Sequence, residues 1–208
     1  MDSIWTLSAV LLLAYLLGSV SSAILVCHLY RLPDPRCEGS HNPGATNVYR
    51  LGGALPALLT LTGDSLKGVL AVSLARALDL PPLEQGLAAV AAILGHMLPI
   101  FFRLQGGKGV ATCLGAGLIL SWPTALALLG IWLLVAGAVR IASLASILTA
   151  LAAAPIAYFF DRPYWQAFLI IGAMILVRHH ENIANLARGK ERRLSRFGSR
   201  KSGELIDD

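Results

Sequence analysis

Long apolar runs separated by short polar loops decide what this chain can fold into. Ile4 to Val26, Leu51 to Leu78, Gly86 to Phe102, Val110 to Leu120, Thr124 to Val139, Ile141 to Phe160 and Tyr164 to Val177 are rich in Leu, Ala, Val and Ile. A hydrocarbon core about 30 Å thick is crossed by roughly 17 to 25 mainly apolar residues in a helix. A helix also satisfies its own backbone polar groups where no water can. With 56% of its 208 residues hydrophobic and 14% charged, the chain reads as an all-α polytopic membrane protein with about seven transmembrane helices. The fourth run is short for a span. The second is longer than a span needs, so part of it is expected outside the hydrocarbon. The first run follows Met1-Asp2-Ser3, which lacks a basic n-region, and no A-x-A-like site comes before the polar loop. It is therefore expected to stay attached as a helix.

Orientation follows from the positions of Lys and Arg. With seven spans, an external N-terminus and a cytoplasmic C-terminus, all of the 17 Lys and Arg residues except Lys67, Arg76 and Arg162 fall on the cytoplasmic side. The chain reads as a single membrane domain over 1–208, with a basic cytoplasmic tail from about residue 188 that also suits anionic headgroups. Cys27, Cys37 and Cys113 show no C-x-x-C spacing, so neither a disulfide framework nor a zinc site is indicated. No internal repeat is visible.

Four polar segments interrupt the apolar pattern near that face. "GSHNPGATNVYR", Gly39 to Arg50, has Asn42 before Pro43, which predicts an N-cap and a helix beginning at Pro43. Such a start favours an anion, glycines let backbone approach a ligand, and Arg50, at i+3 from Asn47, suits a phosphate. An ordinary glycine-rich loop with a headgroup-facing arginine explains the segment equally well. "LQGGKGVAT", Leu104 to Thr112, sets Gly106, Gly107 and Gly109 around Lys108 at the start of an apolar helix. Its amides and lysine can surround a phosphate, although the Walker A spacing is missing; a flexible interfacial turn is the alternative. "RHHENIANLARG", Arg178 to Gly189, supplies His179, Glu181 and Asn182 at the interface, or simply ends a helix in polar residues. In "RIASLAS", Arg140, Ser143 and Ser146 share roughly one helix face, where serines often only bond their own helix or pack against neighbours. Asp64 and Lys67, inside the second run, read as a structural ion pair, and His96 as a packed, hydrogen-bonded histidine.

Absences narrow the chemistry. No His is followed by Asp with four residues between, and neither a G-x-S-x-G elbow nor a Walker A motif occurs. An enzyme built from these parts needs a substrate that arrives activated or that assists proton transfer.

"GSVSSAILV", "GSHNPGATNVYRLGG", "DSLKG", "GHMLPIFFRLQGGKGVAT", "SLAS" and "RHHENIANL" occur in this order. With them the chain resembles the bacterial integral-membrane acyl-phosphate:glycerol-3-phosphate acyltransferase family. The resemblance implies seven spans, an active site at the cytoplasmic face of the bacterial inner membrane, and the first acylation of phospholipid synthesis. A fatty acyl group would pass from acyl phosphate to the 1-hydroxyl of glycerol 3-phosphate, giving lysophosphatidic acid and phosphate. No cofactor, metal or nucleic acid is implied; the partners are the two substrates and membrane lipids. Carried over by motif, Ser40, Arg50, Lys108, Ser146 and Asn182 are the catalytic residues, with Glu181 and His179 orienting their segment. Phosphate binding falls to Gly39, Ser40, Asn42, Gly44, Thr46, Asn47, Arg50, Gly106, Gly107, Lys108 and Gly109. Two departures stand out. The family commonly has Gly-Ser-Gly-Asn, with His41 here in place of the second glycine, so this position need not have positive φ and an imidazole can come close to a phosphate. "GSVSSA" also lacks the proline that many members carry. A small organic-anion or phosphate transporter would use the same cationic loops, but should place its cations near the midplane. Acyl-CoA and acyl carrier protein remain open as donors.

Overall fold

The structure, a computed structural model, describes residues 2–194; Arg196, Arg200 and Lys201 of the expected basic tail lie outside the described residues. Among the described residues the regular elements are helical. The α-helices are α1 (Asp2–Gly18), α2 (Ser22–Leu29), α3 (Ala45–Gly52), α4 (Ala54–Ala77), α5 (Pro82–Met97), α6 (Val110–Leu120), α7 (Trp122–Val139), α8 (Ala142–Phe160), α9 (Trp165–Arg178) and α10 (His180–Ala187), with short 3-10 turns at Ile100–Phe102 and Arg162–Tyr164.

The expected seven spans become five by length and hydropathy: Ile4–Leu29, Ala54–Ala77, Pro82–Phe102, Trp122–Val139 and Ala142–Phe160. A sixth is gained if α9 and α10, bent by 59° at their junction, count as one. The shortfall at the fourth run has a local cause. Gly109, with φ +80°, starts α6, and the turn at Ser121 before Trp122-Pro123 ends it after 11 residues. The excess length of the second run is also resolved, because Leu51 and Gly52 finish the amphipathic α3 and Gly53, with φ +84°, breaks the chain before α4.

The first span is broken at Ser19 to Ser21. Ser21 caps α2 by accepting from the Ile24 amide at 3.5 Å. Lys67 of α4 donates to the Gly18 and Val20 carbonyls, at 3.3 and 2.8 Å, that the break leaves open. The expected Asp64–Lys67 pair is present at 2.8 Å, and Lys67 Nζ also donates to Nδ1 of the buried His96 at 3.0 Å.

In a membrane, helices associate through close packing and hydrogen bonds, and small residues allow that approach. A Cβ on Gly68 would lie 2.1 Å from the Thr112 carbonyl oxygen, and one on Gly115 would lie 1.9 Å from that of Ser65, so α4 and α6 touch backbone to backbone. Phe168, Ile93 and Ile171 fill the core between α5 and α9. This packing brings the four polar segments to one end of the bundle. At the opposite end Tyr164 donates to Gln85 at 3.1 Å beside Arg76.

Candidate functional site

The first loop is shaped by Asn47, which is 1% exposed. Its amide nitrogen donates to the Pro35 and Glu38 carbonyls at 3.0 and 2.9 Å, and its oxygen accepts from the Ser40 amide at 2.9 Å. Asn47 therefore faces the loop's own backbone, where it is fully engaged. Gly39, with φ +66°, has to be glycine, since a Cβ would meet Asn47 Oδ1 at 2.2 Å. Arg36 forks onto Asp34, with the shortest contact at 2.6 Å, and holds that carboxyl below the usual range.

Two expectations for this loop are corrected. The helix starts at Ala45 with Gly44 as cap, not at Pro43 with Asn42 as cap; the Gly44 amide instead donates back to the Asn42 carbonyl at 2.9 Å. Asn47 holds residues 35 to 40 over the helix start, so the chain arrives extended at Pro43 and turns in two residues later. His41 does adopt positive φ, +56°, which histidine tolerates better than most side chains. Its Nδ1 lies 3.3 Å from the Arg36 carbonyl, so the imidazole is exposed and bonded within the loop.

The second loop lies against the first. A Cβ on Gly107 would come 3.0 Å from the Pro43 carbonyl oxygen and 2.2 Å from His96 Nε2. The Gly107 amide donates to the His96 carbonyl at 3.1 Å, while Arg178 donates to the Gly106 and Gly107 carbonyls at 2.9 and 3.3 Å. The backbone cradle expected from Gly39 to Gly44 and Gly106 to Gly109 is thus partly committed within the loops: the amides of Ser40, Gly44 and Gly107 all have partners. Side chains supply the remaining recognition.

Lys108 projects from this loop and donates to Asn182 Oδ1 on α10. Asn182 Nδ2 donates to Glu191 Oε1 at 2.8 Å, and Ser143 Oγ on α8 donates to the same oxygen at 2.8 Å. Burial pushes Lys108 down, the charges of Glu191 and Glu181 hold it up, and Arg178 and Arg50 push it further down. Arg50 is also lowered by burial and by Arg192, against Glu191. Four cations from distant parts of the chain, Arg50, Lys108, Arg178 and Arg192, are therefore linked through their charges beside the Glu191 and Glu181 carboxylates. An anion placed among them relieves their repulsion.

Not every expected residue joins this cluster. Ser146 does not: it donates to the Ala142 carbonyl at 3.0 Å and accepts from Trp132 at 3.0 Å, one turn deeper in α8. Ser143 takes the position expected for it. His179, just past the last residue of α9, is 2% exposed and donates from Nδ1 to the Ile175 carbonyl at 2.8 Å. Burial pushes its ring down to about 4, so it is neutral. Glu181 is exposed on α10 and acts on Lys108 through its charge. Thr46 and Asn42 stay in the half-buried first loop, within α3 and just before it. Sequence reasoning missed Ser143 as the contacting serine, Arg178 as the clasp of the glycine loop, and Glu191. The Ser143 position alone had a signal, in its shared face with Ser146.

Comparison with known proteins places the whole helical bundle in a family. A family model described as glycerol-3-phosphate acyltransferase matches residues 8–189. The glycerol-3-phosphate acyltransferase of Hahella chejuensis is 56% identical over 182 residues, covering 88% of this chain and 94% of the relative. That of Idiomarina loihiensis is 50% identical over 186 residues, covering 89% and 95%. The crystal structure of PlsY, an integral membrane glycerol 3-phosphate acyltransferase, in its glycerol 3-phosphate form superposes with a TM-score of 0.85 at 35% identity, covering 91% of this chain and 96% of that one. Its lysophosphatidic acid form gives 0.83 at 34% identity, covering 90% and 94%. A match running from the first span to the end of α10, with the same fold in a solved relative, makes this chain an integral-membrane member of the glycerol-3-phosphate acyltransferase family.

Proposed function

We propose that the protein transfers a fatty acyl group from acyl phosphate to the 1-hydroxyl of glycerol 3-phosphate, releasing lysophosphatidic acid and phosphate. The reaction runs at the cytoplasmic face of a bacterial inner membrane, with the N-terminus external and the C-terminus cytoplasmic. One observation carries this reading: Arg50, Lys108, Arg178 and Arg192 converge at one end of the bundle around hydrogen-bonding groups of Ser143 and Asn182. Both substrates carry phosphate, and both would find cations there.

The hydroxyl oxygen attacks the acyl carbonyl, the carbonyl carbon–oxygen bond to phosphate breaks, and phosphate leaves with the electron pair. Lys108 and Arg50 stabilise charge developing on the carbonyl and leaving oxygens. Holding hydroxyl and carbonyl at near-attack distance supplies part of the roughly 7 to 11 kcal/mol that ideal orientation offers. The hydroxyl proton passes to a substrate phosphate oxygen, because neutral His179, held down at about 4, is a weak base. Ser40 and Asn47 serve the first loop, Gly106, Gly107 and Gly109 give Lys108 its approach, and Glu181 adds to the field on that lysine. Lys67, buried within the bundle, is committed to Asp64 and to the broken first span, so it offers a midplane anion path no free charge.

Purified protein given labelled glycerol 3-phosphate with acyl phosphate, acyl-CoA or acyl carrier protein in separate reactions tests the proposal. Lysophosphatidic acid is expected with acyl phosphate, and its absence there would refute the reading. Within the same assay Ser143→Ala should lower kcat/KM by about 100-fold, as loss of one donor to a developing charge does. Ser146→Ala, which removes a bond within α8 and one from Trp132 of α7 but none to the cluster, should stay within a few-fold of the parent protein.

A further inference from the structure

The chain does not leave the site at the end of α10. Gly189, with φ +67°, closes that helix by donating to the Leu186 carbonyl at 3.0 Å while Lys190 donates to that of Asn185 at 2.8 Å, the paired bonds of a Schellman turn. The turn sends residues 190 to 194 back over the cluster. Arg192 donates to the Gly39 carbonyl in the first loop at 2.6 Å, and the Leu194 amide donates to the Arg140 carbonyl at the start of α8 at 2.6 Å. Between these two attachments lies Glu191.

We propose that the Glu191 carboxylate stands where a substrate phosphate binds, and that Glu191 is an intramolecular competitor for that position. The hydrogen bonds it accepts, from Ser143 Oγ and Asn182 Nδ2 at 2.8 Å each, are those a phosphate oxygen would accept. The cations that face it, Lys108 and Arg50, are those that would neutralise a phosphate. A carboxylate and a phosphate cannot share one pair of donors, so a ligand has to displace Glu191 before it binds. Apparent affinity is then the intrinsic affinity reduced by the fraction of molecules whose site is vacant. Such competition scales every phosphate ligand by the same factor, whatever the rest of the ligand looks like. A contact from Glu191 to the glycerol moiety would instead alter glycerol 3-phosphate and spare inorganic phosphate.

The inference rests on the phosphate-binding reading given above, and the test separates the two. Equilibrium binding of glycerol 3-phosphate and of inorganic phosphate is measured on the full chain in detergent micelles without acyl donor, for the parent protein, Glu191→Gln and Arg193→Gln. Glutamine keeps the volume and an acceptor oxygen and removes the charge that makes those bonds strong. Glu191→Gln should tighten both ligands by the same factor, about fivefold for bonds that lose charge assistance, and the KM for glycerol 3-phosphate should fall in parallel. Arg193→Gln, on the same strap and exposed, should leave both constants unchanged. Unaltered or weakened binding in Glu191→Gln, or a change confined to one ligand, overturns the inference alone. Failure of the parent protein and of Glu191→Gln to bind either ligand overturns the phosphate-binding reading and the inference with it.

Discussion

Lys108→Ala should lower kcat/KM by about 100-fold or more, the scale of losing a positioned charge next to developing negative charge, while the protein still inserts and folds. The lysine sits on a loop rather than in a helix interface, and its partner is the amide oxygen of Asn182. Removing it therefore opens no core cavity. Its contribution is the charge, delivered through a loop so crowded that Gly107 and Gly109 leave no room for a Cβ. Lys108→Arg should recover little, because a planar guanidinium needs more width than the ammonium it replaces. Kinetics on protein that remains monodisperse by size exclusion provide the check, and near-normal turnover in Lys108→Ala would remove this lysine from the mechanism.

The second large effect is on stability. Asp64 and Lys67 are 1% and 6% exposed, and breaking a buried pair by removing one partner costs about 3 to 5 kcal/mol. Asp64→Ala strands the lysine and should lower the thermal midpoint in detergent substantially. Adding Lys67→Met should recover part of the loss, because the uncompensated charge then goes too. Recovery stays partial, since Lys67 also serves the Gly18 and Val20 carbonyls at the break between α1 and α2. Wild-type stability in Asp64→Ala alone would show that the pair does not hold these helices.

Much of this architecture was legible because lipid makes local sequence decisive: an apolar run has to become a helix wherever it lies. The limits of α7 and α8 fell within two residues of expectation for that reason. Position around a helix was harder to read. Ser143 and Ser146 differ by less than one turn, and which of them meets the cluster depends on where α10 and the strap run, not on anything in "RIASLAS". The same limit hid Glu191 and Arg178. Glu191 meets Ser143 across 48 residues of chain and Arg178 meets the glycine loop across about 70, and no periodicity records such meetings. At His41, the absence of glycine suggested ordinary backbone, but Asn47 and its bonds to Pro35, Glu38 and Ser40 set the loop's path, and His41 follows it.

The shortness of α6 bears on how the proposed substrates would meet. Its 11 residues rise about 16 Å, whereas the 18 of α7 rise about 27 Å, and the two helices meet at Ser121. Along its own axis α6 is thus about 11 Å shorter than α7, and Lys108 stands just before its Gly109 cap. For the proposed reaction, a cation at the start of so short a helix would let an acyl donor present its carbonyl with its tail still among other tails, leaving the polar acceptor as the partner that travels.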